Sequence, residues 1–323
     1  MQQRTIVGLV EFSRSLFCGA DALGQTSDIS IGGHSGTLTL PSLPVWAEHE
    51  KHPLDKPLVG PLAARKWKRG EELIHWGSPV SYPVGDATVD RAVAEFVLDS
   101  DNLETDEKGI YEGFSPWLDL FEKYVMILTT QGSRRRVHMP HGPGRIELYV
   151  NEEAGLRRVS DARTKEFVVE MSEQDEALHL NQFMEASRLP SLNLSPRLEY
   201  RLLLEAYTAR KNADYRKAII EAATALEVCL TKRIMEELDA QRVTFGEQLL
   251  QKFRMLGGRF ELARMIGIPL PQKDYVTIVI NPRNEVIHGA SFSSQAVANE
   301  VISEVEELLR LFSPRVHQDA PGV

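Results

Sequence analysis

Arg283, Asn284 and His288 are the residues whose types and spacing best suit a chemical step. Asn284 and His288 stand four positions apart, so on a helix they share one face, one turn apart. Arg283 adjoins that face, and its long side chain can reach around. A guanidinium grips phosphate oxygens with a planar fork. An imidazole moves a proton near neutral pH. A carboxamide can orient a substrate or the imidazole. Together they suit a reaction at a phosphate. Pro282 removes a backbone donor and disfavours helix at Asn281. The sequence therefore predicts a kink or a fresh helix start, with Arg283 and Asn284 near a helix N-terminus, where anions bind. The bland alternative is a set of polar residues on a bundle surface or at a dimer contact.

Other candidates are less specific. Glu227 borders an apolar helix face between Ala223 and Leu230. A carboxylate there can support the site by holding Arg283 or by crossing a dimer interface, or it is a half-exposed surface Glu. Cys229 reads as a small buried hydrophobe, and Asp214 as a helix cap. The run from Arg134 to Arg145 holds four arginines and two histidines. It suits RNA or a phosphate-bearing ligand, or simply a hairpin loop rich in Gly and Pro. No Cys accompanies those histidines, so no metal is expected there. Lys66-Trp67-Lys68-Arg69 interleaves an aromatic with charge as single-strand binders do, and an exposed strand edge explains it equally. Gly32-Gly33-His34-Ser35-Gly36 reads as a turn rather than a nucleotide loop. Ser, His and Asp residues are scattered, with no triad legible.

The elements that must position the motif fall in two parts. Residues 1–195 carry short β-like runs at 5–10, 36–40, 92–98, 146–150 and 167–171, separated by turn-rich segments. A helix is predicted over 116–129, with Ser115 as its cap and Pro116 in its first turn. Trp117, Phe121, Tyr124 and Leu128 would form its apolar face. A second is predicted over 173–186. The stretch 189–196, with two prolines and two serines, reads as a connector. Beyond it the pattern is helical: 197–211, then 215–238 capped by Asp214, then 245–256 capped by Thr244 and ended by Gly257-Gly258. A short helix over 260–266, a helix over 273–289 and a last helix over 295–312 complete the pattern. The fold expected is α+β: a strand-rich domain over 1–190, then an all-α bundle of four or five helices over 197–315.

Composition narrows the function. The chain has 323 residues and a net charge of −9, which argues against non-specific coating of nucleic acid. The excess is confined to residues 1–195, with 20 basic and 29 acidic residues. Residues 196–323 carry 17 of each sign, so a polyanion meets less repulsion there. Two cysteines exclude a disulfide framework and a thiolate zinc cluster. No stretch approaches the apolar length of a membrane span, and a soluble cytoplasmic protein is expected.

The R-N-x-x-x-H pattern at Arg283, Asn284 and His288, in a C-terminal helical module, resembles the HEPN superfamily. The helix beginning Tyr215-Arg216-Lys217-Ala218 and ending Ala225-Leu226-Glu227 resembles the Ala-rich, Leu-Glu helix of Apea-like HEPN domains. The resemblance covers about residues 197–315. Ser35-Gly36-Thr37-Leu38 resembles a segment of the N-terminal domain of Apea-like proteins. The resemblance implies a metal-independent endoribonuclease, without cofactor, that cleaves single-stranded RNA. Arg283 would stabilise charge on the scissile phosphate, His288 would act as general acid or base for 2′-hydroxyl attack, and Asn284 would position substrate or His288. It further implies a homodimer with two motif helices lining one cleft, and a role in phage defence or stress response. Residues 1–190 would sense a trigger or restrain the nuclease. The alternatives are a non-catalytic module binding RNA, nucleotide or a protein partner, and an antitoxin-like or assembly protein whose motif serves dimerisation.

Overall fold

The computed structural model describes residues 4–44, 54–57, 68–69, 72–73, 75–80, 85–98, 102–129, 145–152, 155–158, 176–289, 293–314 and 316–317. The chain divides into two compact units, with the main boundary between Ser195 and Pro196. The architecture is α+β: an antiparallel sheet with helices in the first unit, and a second unit whose named elements among the described residues are all helical.

The first unit is organised by strand β1 (Arg4–Cys18), whose residues 6–12 are all buried. Such a run fits a central strand covered on both faces. β2 (Thr26–Ile31) and β3 (His34–Thr39) form a hairpin, and β4 (Lys68–Arg69) and β5 (Glu72–Leu73) form a separate two-stranded ribbon. β6 (Gly77–Pro79), β7 (Ala87–Leu98), β8 (Arg145–Glu152) and β9 (Gly155–Arg158) complete the main sheet. Its order is β2-β3-β7-β1-β8-β9, with β6 also on β7. Register between β1 and β7 shifts between Glu11 and Leu16, a bulge that turns Ser13 and Ser15 onto buried acids. Ser13 donates through both its backbone N–H and its hydroxyl to Glu122, and Ser15 Oγ donates to Asp90 at 2.5 Å. Burial pushes the Glu122 carboxyl up, against the pull of Arg14 and Ser13.

Helix α1 spans Leu103–Thr129, with Pro116 in its interior. The expected start at Ser115 is therefore wrong. Ile110 and Phe114, both buried, extend the apolar face a full turn before the proline, and that burial outweighs the lost backbone bond. Trp117 stacks on Phe121 at 5.3 Å, and Phe121 on Phe12 of β1 at 5.8 Å. The Gly32-Gly33 turn has φ +60° and +85°, as a tight hairpin between right-twisted strands requires. A Cβ at Gly32 would meet the Gly109 carbonyl oxygen of α1 at 2.1 Å, so only glycine lets the turn touch the helix.

The predicted helix over 173–186 begins later and ends later. α2 is Leu180–Ser191, preceded by a parallel bridge in which the Leu178 N–H donates to the Phe17 carbonyl at 2.8 Å. The backbone at 178 is thereby committed to the sheet, and Asp21 meets the helix start by accepting from the Leu180 N–H. Pro190 lies inside α2, so the chain break falls after Ser191, where Asn193 takes φ +53°. The strand predicted over 167–171 lies outside the described residues.

The second unit holds α3 (Leu198–Lys211), α4 (Tyr215–Ala240), α5 (Gly246–Lys252), α6 (Leu256–Met265), α7 (Asn281–His288) and α8 (Gln295–Phe312). Asp214 caps α4 by accepting from the Lys217 N–H at 3.0 Å. α4 packs on every other helix of the unit, with Ile219, Leu226, Leu230 and Ile234 buried along it. Two expectations fail between α4 and α7. Phe245, not Thr244, stands at the start of α5 with no side-chain cap. Gly257-Gly258 do not end a helix but open α6, because a Cβ at Gly258 would meet the Phe253 backbone at 3.2 Å, and glycine lets α6 start hard against the end of α5.

Glu199 is wholly buried and ties three segments together. It accepts from Lys232 Nζ of α4 at 2.6 Å and from Ser313 Oγ after α8 at 3.0 Å. Burial pushes its carboxyl up, but the bonds from Lys232 and Ser313 outweigh burial and hold it below the ordinary range. A depressed folded-state pKa contributes stability at pH values above the unfolded value of about 4.3, and the contribution is lost as pH falls through the folded value. Thermal melting of the wild type should therefore drop more steeply between about pH 5 and pH 3 than that of Glu199→Gln, which has no proton to gain there. Parallel melting curves would show that Glu199 contributes nothing through its charge.

Candidate functional site

The motif helix owes its form to Pro282. A proline ring clashes with the carbonyl four residues back and offers no N–H. The chain answers with a π-helical turn over Val276–Ile280, in which the Asn281 N–H reaches back to the Val276 carbonyl. Ile280 and Asn281 keep right-handed helical dihedrals, so α7 follows directly on this turn. The expectation of a fresh helix start is corrected accordingly: the wider turn absorbs the proline and takes up a donor that a free N-terminus would present.

Of the α7 residues, Val286 is buried and anchors the helix. Arg283 and Asn284 are half-buried, and His288, the last residue of α7, is exposed. Arg283 Nη1 donates to Asn284 Oδ1 at 3.1 Å. That bond fixes which end of the carboxamide faces the guanidinium and leaves the other arginine donors for an incoming anion. Among the described residues no hydrogen bond or ion pair holds the His288 imidazole.

Glu227, half-buried on α4, forms no ion pair with Arg283 among the described residues. The cation it faces is Arg259 of α6. Nε and Nη1 of Arg259 are buried with no hydrogen-bond partner among the described residues. Burial works against the guanidinium's charge, and Glu227 opposes that effect. The first turn of α6 lies beside the π-helical turn, since a Cβ at Gly257 would meet Ile280 Cδ1 at 3.6 Å. Arg259 was not legible as part of the site, because Gly257-Gly258 read as the end of a helix rather than as the start of the one that carries it.

The other sequence candidates disperse. Residues 134–144 and 66–67 lie outside the described residues, and Lys68–Arg69 form β4. Cys229 is buried, its thiol pushed up to about 12 by desolvation and by Glu199. Among the described residues no three His, Cys, Asp or Glu side chains are grouped as metal ligands, and no helix is long and apolar enough to cross a membrane. No protein-family model matches the chain, and no curated protein or solved structure gives a significant match.

The Glu227 and Arg259 pair can be tested by a double-mutant cycle. Glu227→Gln leaves a buried guanidinium uncompensated and should cost about 1–3 kcal/mol of stability. In an Arg259→Met background the same change should cost less than half as much in urea unfolding. Equal costs in both backgrounds would mean that the two groups do not interact.

Proposed function

We propose that the C-terminal unit is a HEPN-type endoribonuclease that cleaves single-stranded RNA without a metal ion. The observation that carries this reading is the placement of Asn284 and His288 on one face of a surface helix, with Arg283 bonded to Asn284 and the imidazole open to solvent. Each group then has a task. His288 takes the proton of a ribose 2′-hydroxyl, whose oxygen attacks the adjacent phosphorus. Arg283 stabilises the equatorial charge that develops there, and Asn284 holds the guanidinium in register. The P–O5′ bond breaks, the 5′-oxygen takes up a proton, and a 2′,3′-cyclic phosphate remains. DNA is no substrate, because it lacks the nucleophile.

Self-association completes the proposal. Phe245, Met255, Met265, Val276 and Ile287 are apolar and exposed on this unit, Val276 in the π-helical turn and Ile287 in α7 itself. A second copy would bring a second Arg283 and supply surroundings for His288. The cytoplasm, with RNA as partner and residues 1–190 as sensor or restraint, fits a role in phage defence or stress. The second reading, a non-catalytic module that binds RNA, nucleotide or protein, is favoured by one observation: nothing described within a single chain orients His288.

Cleavage assays on single-stranded RNA in excess EDTA distinguish the two. The wild type should cut, leave 2′,3′-cyclic phosphate ends and spare a fully 2′-deoxy substrate. His288→Ala should abolish cleavage with an unchanged melting curve, since the side chain is exposed. Arg283→Ala should raise the barrier by about 2–4 kcal/mol, as loss of one preorganised donor does, and Arg283→Lys should restore little of it. Binding without cleavage across varied RNAs establishes the second reading, and full activity of His288→Ala removes this helix as the active site.

A further inference from the structure

The first unit brings together a serine, a histidine and an aspartate that the sequence kept apart. Ser78 Oγ lies 3.3 Å from His75 Nε2, and His75 Nδ1 lies 2.9 Å from Asp90 Oδ2. Asp90 is buried, and its other oxygen accepts from Ser15 Oγ at 2.5 Å, from the β1 bulge. Burial pushes the Asp90 carboxyl up, but the bonds from His75 and Ser15 outweigh burial and hold it below the ordinary range. An ionised Asp90 accepts the Nδ1 proton. That choice of tautomer leaves Nε2 bare and pointed at a hydroxyl.

The segment carrying His75 and Ser78 is fastened at each residue. The His75 carbonyl accepts from Arg91 Nη1 at 2.5 Å, and Arg91 is itself held by Glu11 at 2.9 Å. The Trp76 carbonyl accepts from the Asp90 N–H at 3.0 Å, and the Gly77 carbonyl from the Leu54 N–H at 3.0 Å. The Ser78 carbonyl accepts from Thr88 Oγ1 at 3.1 Å. Gly77 takes φ +139°, and a Cβ there would meet the Thr88 carbonyl oxygen at 2.0 Å, so glycine alone lets this segment lie so close to β7. Four consecutive anchored carbonyls give the preorganisation that a positioned nucleophile needs. The His75 side chain is 53% exposed, so the pair opens to solvent.

We propose that Ser78 is an activated nucleophile, with His75 as its general base and Asp90 as the positioning residue, acting on small carboxylic esters. Ser78 Oγ bonds to the acyl carbon while His75 Nε2 takes its proton. The ester C–O bond breaks, and the same proton goes to the leaving alkoxide. Water then attacks the acyl-serine with His75 again as base, releasing the acid and restoring Ser78. This proposal is independent of the nuclease reading.

The test is covalent labelling of the full chain with an alkyl fluorophosphonate, in which the Oγ–P bond forms and the P–F bond breaks. Peptide mass spectrometry should find one adduct per chain, on Ser78, and Ser78→Ala should have none. His75→Ala should slow labelling by about 10²-fold or more, the usual contribution of a general base. Asp90→Asn should slow labelling, and Asp90→Glu, which keeps an anion to accept from Nδ1–H, should recover part of the rate. Circular dichroism melting identifies any variant that fails to fold, and His75→Gln then replaces His75→Ala. No adduct on Ser78 in the folded wild type, or equal labelling rates with and without the imidazole, overturns the proposal.

Discussion

A missing N–H and a bulky ring at Pro282 govern the geometry of the candidate nuclease site. An α-helix cannot pass a proline without losing a bond and moving a carbonyl aside. Here the chain widens by one residue over Val276–Ile280 instead of breaking. The cost is spread over a turn whose Val279 is buried against the bundle. α7 follows directly, with Val286 inward and His288 outward.

α7 packs on α4, and the π-helical turn lies against α8, α4 and α6. α4 is the element against which α3, α5, α6, α7 and α8 all pack. Its buried alanines, Ala218, Ala222, Ala223 and Ala225, let those neighbours approach closely. Its polar attachments run at the edges: Lys232 to Glu199 on one side and Glu227 towards Arg259 on another. Buried ionic groups of this kind add less to stability than an apolar core does, but they penalise any packing that separates the partners. Glu199 excludes arrangements in which the chain after α8 leaves α3, and Glu227 excludes those in which α6 leaves α4.

The first unit solves a related problem with a strand rather than a helix. β1 is a central strand of the sheet, and its bulge between Glu11 and Leu16 places two serines in hydrogen-bond reach of the buried carboxylates of Glu122 and Asp90. Asp90 is satisfied from two sides, by Ser15 and by His75. The same bonds that make its burial tolerable also set the tautomer of His75. In both units a local departure from regular geometry lies close to a candidate histidine: the π-helical turn leads into the helix that ends at His288, and the bulge supplies the Ser15 bond to the aspartate that His75 meets.

The division of labour between sequence and tertiary structure reflects the range of the forces involved. Apolar spacing and caps are local, and they determined the elements whose signals agree with one another: α4 with its Asp214 cap, α8 from Gln295 to Phe312, and the β1, β7 and β8 cores. The motif at Arg283, Asn284 and His288 was likewise legible, because residues four apart on a helix always share a face. Three boundaries read from Gly or Pro fall elsewhere, while the Gly32-Gly33 turn stands where it was read. At Pro116, Pro190 and Gly257-Gly258 the local preference for a boundary lost to burial of neighbouring side chains or to close approach of two backbones. The contacts that join Ser78 and His75 to Asp90, or Glu227 to Arg259, depend on strand order, on a bulge and on helix packing. None of these leaves a periodic trace along the chain, so only the folded arrangement decided them.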